Sequence, residues 1–394
     1  MSILCLARTV KFDYAGWFPD LSDDLLAIAS VQLPMQDRYC LVKRVDDLDA
    51  EGVVELTALE WAATRPFSRI LAHSEYDLLR AARLREHFGL PGQGVESALA
   101  YRDKVIMKEY LKRAGIPIAQ FRRVLSPVDL FEFVEEHGYP VVVKPVDSSG
   151  SHGVFVVRDR AELQRVATIT AHSQQIVESF IDGEMYHVNG IITSDGADFL
   201  VPCGYINGAL DYQTGRLFGS RTIDPGTPLA QRLMAFARRA IDALPPADPL
   251  AFHAEIFVTS DGGLFLCEVA ARTPGCLVSE LTERSYGINL HREWARAQAG
   301  LPLRLSAARQ SGVVAASLRV PRKAGRLVKL PADTPFPWVS TLYSSGNVGA
   351  VYEPATTYTD DVLVAMVTAD SDALLLDRIA EFSDWLGNRV VWQT

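Results

Sequence analysis

Cysteine is scarce in this sequence, and no two cysteines stand at a CxxC spacing. The five are Cys5, Cys40, Cys203, Cys267 and Cys276. An odd number of scattered cysteines argues against a structural zinc site and against a disulfide framework, and it fits a reducing cytoplasm. We therefore expect a cytoplasmic protein.

Long apolar runs and an excess of basic residues are also missing. No run approaches the roughly 18–20 apolar residues that a membrane helix needs, and Arg8 and Lys11 interrupt the first apolar stretch, which predicts no signal peptide. Lys and Arg number 39 against 48 Asp and Glu, for a net charge of −9. Because phosphate-backbone binding depends on Lys and Arg, we expect no nucleic-acid partner and no membrane partner. Small anionic ligands stay compatible with this charge.

The chain has the size and composition of a soluble α/β protein with two or three domains. It has 394 residues, 48% hydrophobic and 22% charged. Short apolar runs alternate with helical patterns over residues 1–101, which indicates a small α/β unit. Asp103 is placed to cap a helix that Gly115 and Pro117 end. Residues 301–394 read as mixed strands and a helix.

The stretch YPVVVKPVDSSGSHGVFVV, residues 139–157, predicts a strand that ends in a lysine, followed by a loop of small residues. Backbone N–H groups of such a loop approach phosphate oxygens closely, and Lys144 adds a point charge. The same pattern also fits a surface hairpin with a solvated lysine. Neither a Walker A loop nor a GxGxxG motif is present. The candidate phosphate loop is Ser149, Gly150, Ser151, His152 and Gly153.

The stretch FHAEIFVTSDGGLFLCEVAAR, residues 252–272, predicts a β-hairpin with a two-residue turn at Asp261 and Gly262. In that register Glu255 lies opposite Glu268. Facing carboxylates destabilise a hairpin, and a divalent cation between them removes the problem. Oxygen ligands beside phosphates favour Mg²⁺, with Mn²⁺ as an alternative. A solvated edge is the competing interpretation.

These features, in this order along the chain, resemble the ATP-grasp superfamily over about Arg102–Gly300. The matching stretches are RDKVIMKEYLKRAGIP, YPVVVKPVDSSGSHGV, IVESFIDGEMYHVNG and FHAEIFV with LFLCEVAARTPG. The resemblance implies an α/β (α+β) ATP-grasp fold in three parts. These are a preATP-grasp-like domain at 1–101, an ATP-grasp domain at 102–300 with lobes at about 102–177 and 178–300, and a C-terminal mixed subdomain at 301–394.

The resemblance also implies roles for the matching residues. Lys104, Lys144 and the phosphate loop would contact ATP phosphates, and Glu178 with the backbone of Phe180 and Ile181 would hold the adenine. Glu255 and Glu268 would hold Mg²⁺, and Arg272 would steady an acyl phosphate. The implied reaction phosphorylates a carboxylate and then transfers the acyl group to an amine.

Two positions depart from the family pattern. Ala270 stands where many members carry an asparagine metal ligand, which puts a second metal ion in doubt, and His253 opposite it is a candidate substitute or a packed histidine. Glu184, the candidate ribose acid, stands one place early, and Asn189 stands where relatives often have an acid. We also expect a substrate pocket. Its candidate residues are His187, Tyr186, Tyr212, Arg221 and His253, with DYQTGRLFGSR, residues 211–221, as a lid or a surface connection.

Three functions compete at this point. The first is an ATP-dependent carboxylate–amine ligase acting on small-molecule acids and amines, resembling the L-amino acid ligases. The second changes the acceptor to bicarbonate-derived chemistry or a carrier-protein thiol. The third is a nucleotide-binding module without turnover, which only Ala270 favours. The sequence leaves a homodimer open.

Overall fold

The structure is a computed structural model that describes residues 2–49, 52–170, 173–194, 196, 198–208, 210–305 and 312–393. Among these residues, no helix is long and apolar enough to cross a membrane. All five cysteines are free thiols.

The N-terminal region is a parallel four-stranded sheet covered by helices. Its strand order is β3-β2-β1-β4. Every residue of the first two strands is buried. Strands of a parallel sheet are buried in this way when helices cover both faces. The elements are β1 (Ser2–Ala7), α1 (Tyr14–Trp17), β2 (Leu25–Ala29), β3 (Leu41–Arg44), α2 (Val53–Thr64), β4 (Phe67–Ala72), α3 (Leu78–Phe88) and α4 (Val95–Arg102).

A small lobe follows, built on an antiparallel sheet of order β5-β8-β6-β7. Its core is made by alternate residues of the strands packed under two helices. The predicted helix after Asp103 is confirmed, and the Asp103 carboxylate caps it by accepting from the amides of Val105 and Ile106. The elements are α5 (Lys104–Arg113), β5 (Phe121–Val124), α6 (Pro127–His137), β6 (Val141–Pro145), β7 (Phe155–Val157), α7 (Arg160–Ile169) and β8 (Gln175–Ser179).

The largest element is an eight-stranded antiparallel sheet of order β13-β12-β9-β10-β11-β14-β18-β16. Its last three strands come from beyond residue 300, so the C-terminal region extends the sheet of the preceding lobe. The strands are β9 (Gly183–Ile192), β10 (Phe199–Ile206), β11 (Phe218–Thr222), β12 (Leu250–Thr259), β13 (Leu264–Ala270), β14 (Val314–Pro321), β16 (Val339–Ser344) and β18 (Asp361–Ala369).

Helices cover this sheet, and a small second sheet lies beside it. The remaining elements are α8 (Pro228–Asp242), α9 (Val278–Tyr286), α10 (Leu290–Gln298) and α11 (Asp372–Leu386), with β15 (Gly325–Lys329), β17 (Val351–Tyr352) and β19 (Val391–Gln393) forming the second sheet.

The hairpin register is confirmed at the glutamates, although the expected two-residue turn is wrong. Glu255 pairs with Glu268 and His253 with Ala270, but Val258 pairs with Leu264. The loop therefore has one more residue than expected, and a bulge after Glu255 compensates for it. Because the bulge reverses the alternation, Leu264 and Leu266 lie on the face opposite the glutamates and pack with the core residue Ile256.

Gly287, at φ 73°, ends α9, and a second helix, α10, begins at Leu290. The supposed lid of residues 211–221 is a 3₁₀ turn followed by β11, an interior strand. Gly219 is required there because a Cβ would lie 1.8 Å from the Ser317 carbonyl oxygen.

Candidate active site

A cavity of about 770 Å³ lies between the small lobe and the eight-stranded sheet. Most of the sequence-predicted site residues meet in its wall, although they come from segments up to 168 residues apart, Lys104 to Arg272. Of the candidates, His152, Gly153 and Tyr212 do not line it. Those that do are Lys104, Lys144, Ser149, Gly150, Ser151, Glu178, Phe180, Ile181, Glu184, His187, Arg221, His253, Glu255, Glu268 and Arg272.

Helix α5 brings two lysines to the cavity. Lys104 and Lys108 are four residues apart, so they share one helix face, while Met107 and Leu111 pack into the core behind. The Lys104 ammonium donates to the Ser148 carbonyl (2.8 Å) and lies 3.3 Å from a Glu268 oxygen. Lys104 therefore links the phosphate loop to the carboxylate hairpin.

Strand alternation explains why Lys144 faces the cavity. Val141 and Val143 are fully buried in the small-lobe core, whereas Val142 and Lys144 line the cavity. The Lys144 ammonium lies 3.2 Å from Glu178 on the neighbouring strand. The lysine is 5% exposed, so the hypothesis of a solvated surface lysine is wrong.

Glu178 is compensated by two cations. Lys108 and Lys144 lie 3.3 and 3.2 Å from its two oxygens. Burial alone raises the pKa of Glu178, but these ammonium groups outweigh it, so that the pKa is lowered and the carboxylate stays ionised. Phe180 and Ile181 follow at the junction of the lobes, and the Phe180 amide donates to the Pro140 carbonyl (3.3 Å).

The phosphate loop turns through left-handed backbone positions. Gly150, Ser151 and Gly153 have φ of 69°, 56° and 72°. The loop contacts the N-terminal region, because the Ser149 hydroxyl donates to the Tyr76 oxygen (3.1 Å). Tyr212 supports it from behind, as its hydroxyl donates to the Ser151 carbonyl (3.3 Å).

Glu255 and Glu268 face each other on neighbouring strands beside this loop. Glu255 accepts from the Tyr205 hydroxyl, and its nearest oxygen lies 3.5 Å from His253 Nε2. Burial alone raises the pKa of Glu255, but His253 and Tyr205 outweigh it and lower that pKa. Two facing carboxylates fit Mg²⁺, which prefers oxygen ligands. No group of three or more Asp, Glu, His or Cys among the described residues is arranged to hold a metal, so the remaining ligands would be phosphate oxygens and water.

A buried hydrogen-bonded chain supports Glu255 from beneath. His253 Nδ1 lies 2.7 Å from the Asn189 amide oxygen, and the Asn189 amide nitrogen lies 2.9 Å from His187 Nδ1. His187 Nε2 lies 3.1 Å from the Ser220 hydroxyl. Burial lowers the pKa of His187 to about 3, so this imidazole is neutral. Asn189 thus orients both histidines.

Arg272 is held by a residue of the N-terminal region. Its Nε donates to Glu75 (2.7 Å), whose other oxygen lies 2.8 Å from Arg102 Nη1. Arg102 in turn donates to the Asp147 carbonyl at the base of the phosphate loop. Burial raises the pKa of Glu75, but Arg272 and Arg102 outweigh it and lower that pKa. One carboxylate therefore connects the candidate catalytic arginine with the loop.

Three other candidates lie at the margins. Glu184 is exposed and accepts from the Tyr186 hydroxyl (2.7 Å). Arg221 follows Ser220 on β11, so the two side chains leave opposite faces of the sheet, and Arg221 lines the cavity 4.0 Å from Asp372 of α11. Tyr212 is buried in a small apolar cluster. The structure does not bring Arg221 or Tyr212 to the carboxylates.

Cys267 and Cys276 both line the cavity. Burial raises the pKa of each thiol, Cys267 to about 12, so neither is a thiolate at neutral pH. This favours a packing role over a nucleophilic role for both cysteines.

Sequence reasoning missed several residues of the site. Lys108 could have been found, because it lies one helical turn after Lys104. Glu75, Tyr76 and Tyr358 carry no such signal, since each comes from a segment far outside the recognised motifs.

Comparison with known proteins agrees with this geometry. Residues 109–275 match the family description "ATP-grasp domain". The L-arginine-specific L-amino acid ligase of Bacillus subtilis is 28% identical over 254 residues, which are 62% of this chain and 61% of that protein. The N5-carboxyaminoimidazole ribonucleotide synthase of Bacillus subtilis (strain 168) is 26% identical over 261 residues, 65% of this chain and 64% of that protein. The matches thus span less than two thirds of these relatives.

The solved structure of an L-amino acid ligase from Bacillus licheniformis superposes over the whole chain. The TM-score is 0.76 at 17% identity, with 100% of this chain and 99% of that chain covered. This likeness shows the fold, which is the expected mixed α/β ATP-grasp fold.

Proposed function

We propose that this chain, whose residues 109–275 form an ATP-grasp domain, is an ATP-dependent carboxylate–amine ligase. The observation that carries the proposal is the convergence of Lys104, Lys144, Glu255, Glu268 and Arg272 on one cavity. Relatives named as an L-arginine-specific L-amino acid ligase and an alanine–anticapsin ligase support amino acids or similar small molecules as substrates.

In the proposed reaction, a carboxylate oxygen of the acid attacks the γ-phosphorus of ATP, and the bond to the β–γ bridging oxygen breaks. The products are an acyl phosphate and ADP. The amine then attacks the carbonyl carbon, a proton leaves the nitrogen, and inorganic phosphate departs. Phosphoryl transfer of this kind needs positioning and charge neutralisation more than covalent help.

The chain's own residues supply these two requirements. Lys104 and Lys144 place fixed positive charge beside the phosphate loop. Arg272, oriented by Glu75, places a guanidinium just after β13, the strand that carries Glu268. Glu255 and Glu268 would hold Mg²⁺, which supplies charge neutralisation on the phosphates when bound. The loop of Ser149–Gly153 excludes water by covering the phosphates.

The test is release of ADP and phosphate from Mg-ATP in the presence of the twenty L-amino acids, singly and in pairs. We expect release that depends on particular amino acids, with a product whose mass equals the two substrates minus water. Release that requires bicarbonate instead would favour a carboxylating reaction, to which the similarity with N5-carboxyaminoimidazole ribonucleotide synthase points. Binding of ATP without any turnover would contradict the ligase proposal.

A further inference from the structure

Tyr358 lies at the junction between the phosphate loop and the turn that carries Arg272. It belongs to a short segment, Thr356–Asp360, that is far from the recognised motifs in sequence. The Asp360 carboxylate accepts from the amides of Thr356 and Thr357 (2.9 and 3.0 Å) and from the Thr356 hydroxyl (3.0 Å). These bonds make the segment a defined platform for the tyrosine.

The ring of Tyr358 packs against the phosphate loop. A Cβ added at Gly150 would lie 3.0 Å from ring atom Cε1 of Tyr358. Gly150 also has φ of 69°, so glycine is favoured there for its backbone as well as for space. The same ring packs on the cluster of Tyr212, Phe218 and Ala355. The Tyr212 hydroxyl in turn contacts the carbonyls of Ser151 and Thr356 (both 3.3 Å), which joins loop and platform.

The hydroxyl of Tyr358 points to the other side of the junction. A Cβ at Gly275 would lie 3.4 Å from this oxygen, and Gly275 is three residues after Arg272. The tyrosine lines the cavity together with Arg272, Glu255 and Cys276. Among the described residues, we find no hydrogen-bond partner for this hydroxyl. The pKa of Tyr358 is raised, first by Cys276 and then by burial, so the hydroxyl keeps its proton and can donate it.

We propose that Tyr358 is a specificity-determining residue whose hydroxyl donates a hydrogen bond to the carboxylate of the acid substrate beside Arg272, while its ring holds the phosphate loop. This inference rests on the proposed ligase function. A single side chain then contacts the acid and the loop that covers ATP. Binding of the acid should therefore tighten the loop around the nucleotide.

The test compares Tyr358→Phe, which removes only the hydroxyl, with Tyr358→Ala, which also removes the ring. Tyr352→Phe is the matched control, because the Tyr352 hydroxyl accepts from the Asn347 amide (2.8 Å) in the second sheet. Two probes are used. Mg-AMPPNP alone reports on the loop through its dissociation constant and through hydrogen exchange of residues 147–154. The twenty L-amino acids, with Mg-ATP, report on the acid through KM and kcat.

For Tyr358→Phe we expect an unchanged dissociation constant for Mg-AMPPNP and a KM for the acid raised about tenfold, the usual effect of losing a hydrogen bond to a charged group. For Tyr358→Ala we also expect weaker nucleotide binding and faster exchange of the loop. Tyr352→Phe should match the parent protein in every readout.

An acid KM in Tyr358→Phe equal to that of the parent overturns the contact with the carboxylate. Loop exchange in Tyr358→Ala equal to that of the parent overturns the role of the ring. If the parent protein makes no ADP with any amino acid, the ligase proposal fails on amino acids, and the hydroxyl's role falls with it. The Mg-AMPPNP experiment still decides the role of the ring in that case.

Discussion

Replacement of Glu75 by glutamine tests whether the N-terminal region completes the candidate active site. Glu75 accepts from Arg272 Nε (2.7 Å) and pairs with Arg102 (2.8 Å). The variant keeps the shape of the side chain and one oxygen acceptor, but it removes the charge and puts an amide donor against one guanidinium. A hydrogen bond between charged groups is worth about 1.5–3 kcal/mol. Loss of about 2.7 kcal/mol in the transition state corresponds to a rate reduced about 100-fold.

We therefore expect kcat for ADP release to fall about 100-fold in Glu75→Gln, while the dissociation constant of Mg-AMPPNP changes less than threefold. The split arises because Glu75 contacts Arg272 and Arg102 and not the lysines beside the phosphate loop. The free energy of unfolding should fall by about 1–3 kcal/mol, which denaturant titration measures.

Glu55→Gln is the matched control, because Glu55 also pairs with an arginine, Arg80 at 2.8 Å, but Arg80 does not line the cavity as Arg272 does. It should leave kcat unchanged. If Arg272→Ala is inactive but Glu75→Gln has a normal kcat, Arg272 keeps its position without the Glu75 carboxylate, and our reasoning is refuted.

Four further outcomes are expected. Glu268→Gln should abolish turnover by weakening the metal site, and near-normal activity would contradict the metal assignment. Lys144→Ala should raise the KM for ATP about tenfold or more, and an unchanged KM would count against its phosphate role. Lys108→Met should lower stability by about 1–3 kcal/mol because Glu178 loses one of its two buried cations; denaturant midpoints measure this, and no change would mean that Lys144 suffices. Burial lowers the pKa of His73 to about 4, so between pH 6.5 and 4 mainly the unfolded chain binds this proton, and the free energy of unfolding decreases as pH falls. This histidine should account for a loss of about 2 kcal/mol between pH 6.5 and 5. We expect that loss to be absent in His73→Gln and to remain in the exposed control His152→Gln.

The candidate site was predictable where its residues lie in short motifs with a defined geometry. Strand alternation places Lys144 on one face and its neighbouring valines on the other, and a capping aspartate marks the start of the helix that carries Lys104. The pairing of Glu255 with Glu268 follows from hairpin register. The pairing was predicted correctly although the turn length was wrong, because a bulge shifts the strand register back by one residue. The sequence does not reveal this bulge.

Burial decided between alternatives that composition left open. A lysine at the end of a strand is compatible with a solvated surface and with a phosphate site. Lys144 is 5% exposed and pairs with Glu178 on the adjacent strand. Strand adjacency across 34 residues of chain depends on how the sheet folds, so the sequence alone could not decide this point.

The sequence by itself determined the local elements and the order of the motifs, because helix caps, alternation and turn residues act over a few neighbouring positions. Only the tertiary structure decided which distant segments complete the site. Glu75 holds the cavity-lining Arg272 and Tyr358 lines the cavity itself, although the two residues come from opposite ends of the chain. The face that Arg221 takes depends on its place in an interior strand. Those contacts arise from the packing of whole sheets and helices against each other, which no short stretch of sequence encodes.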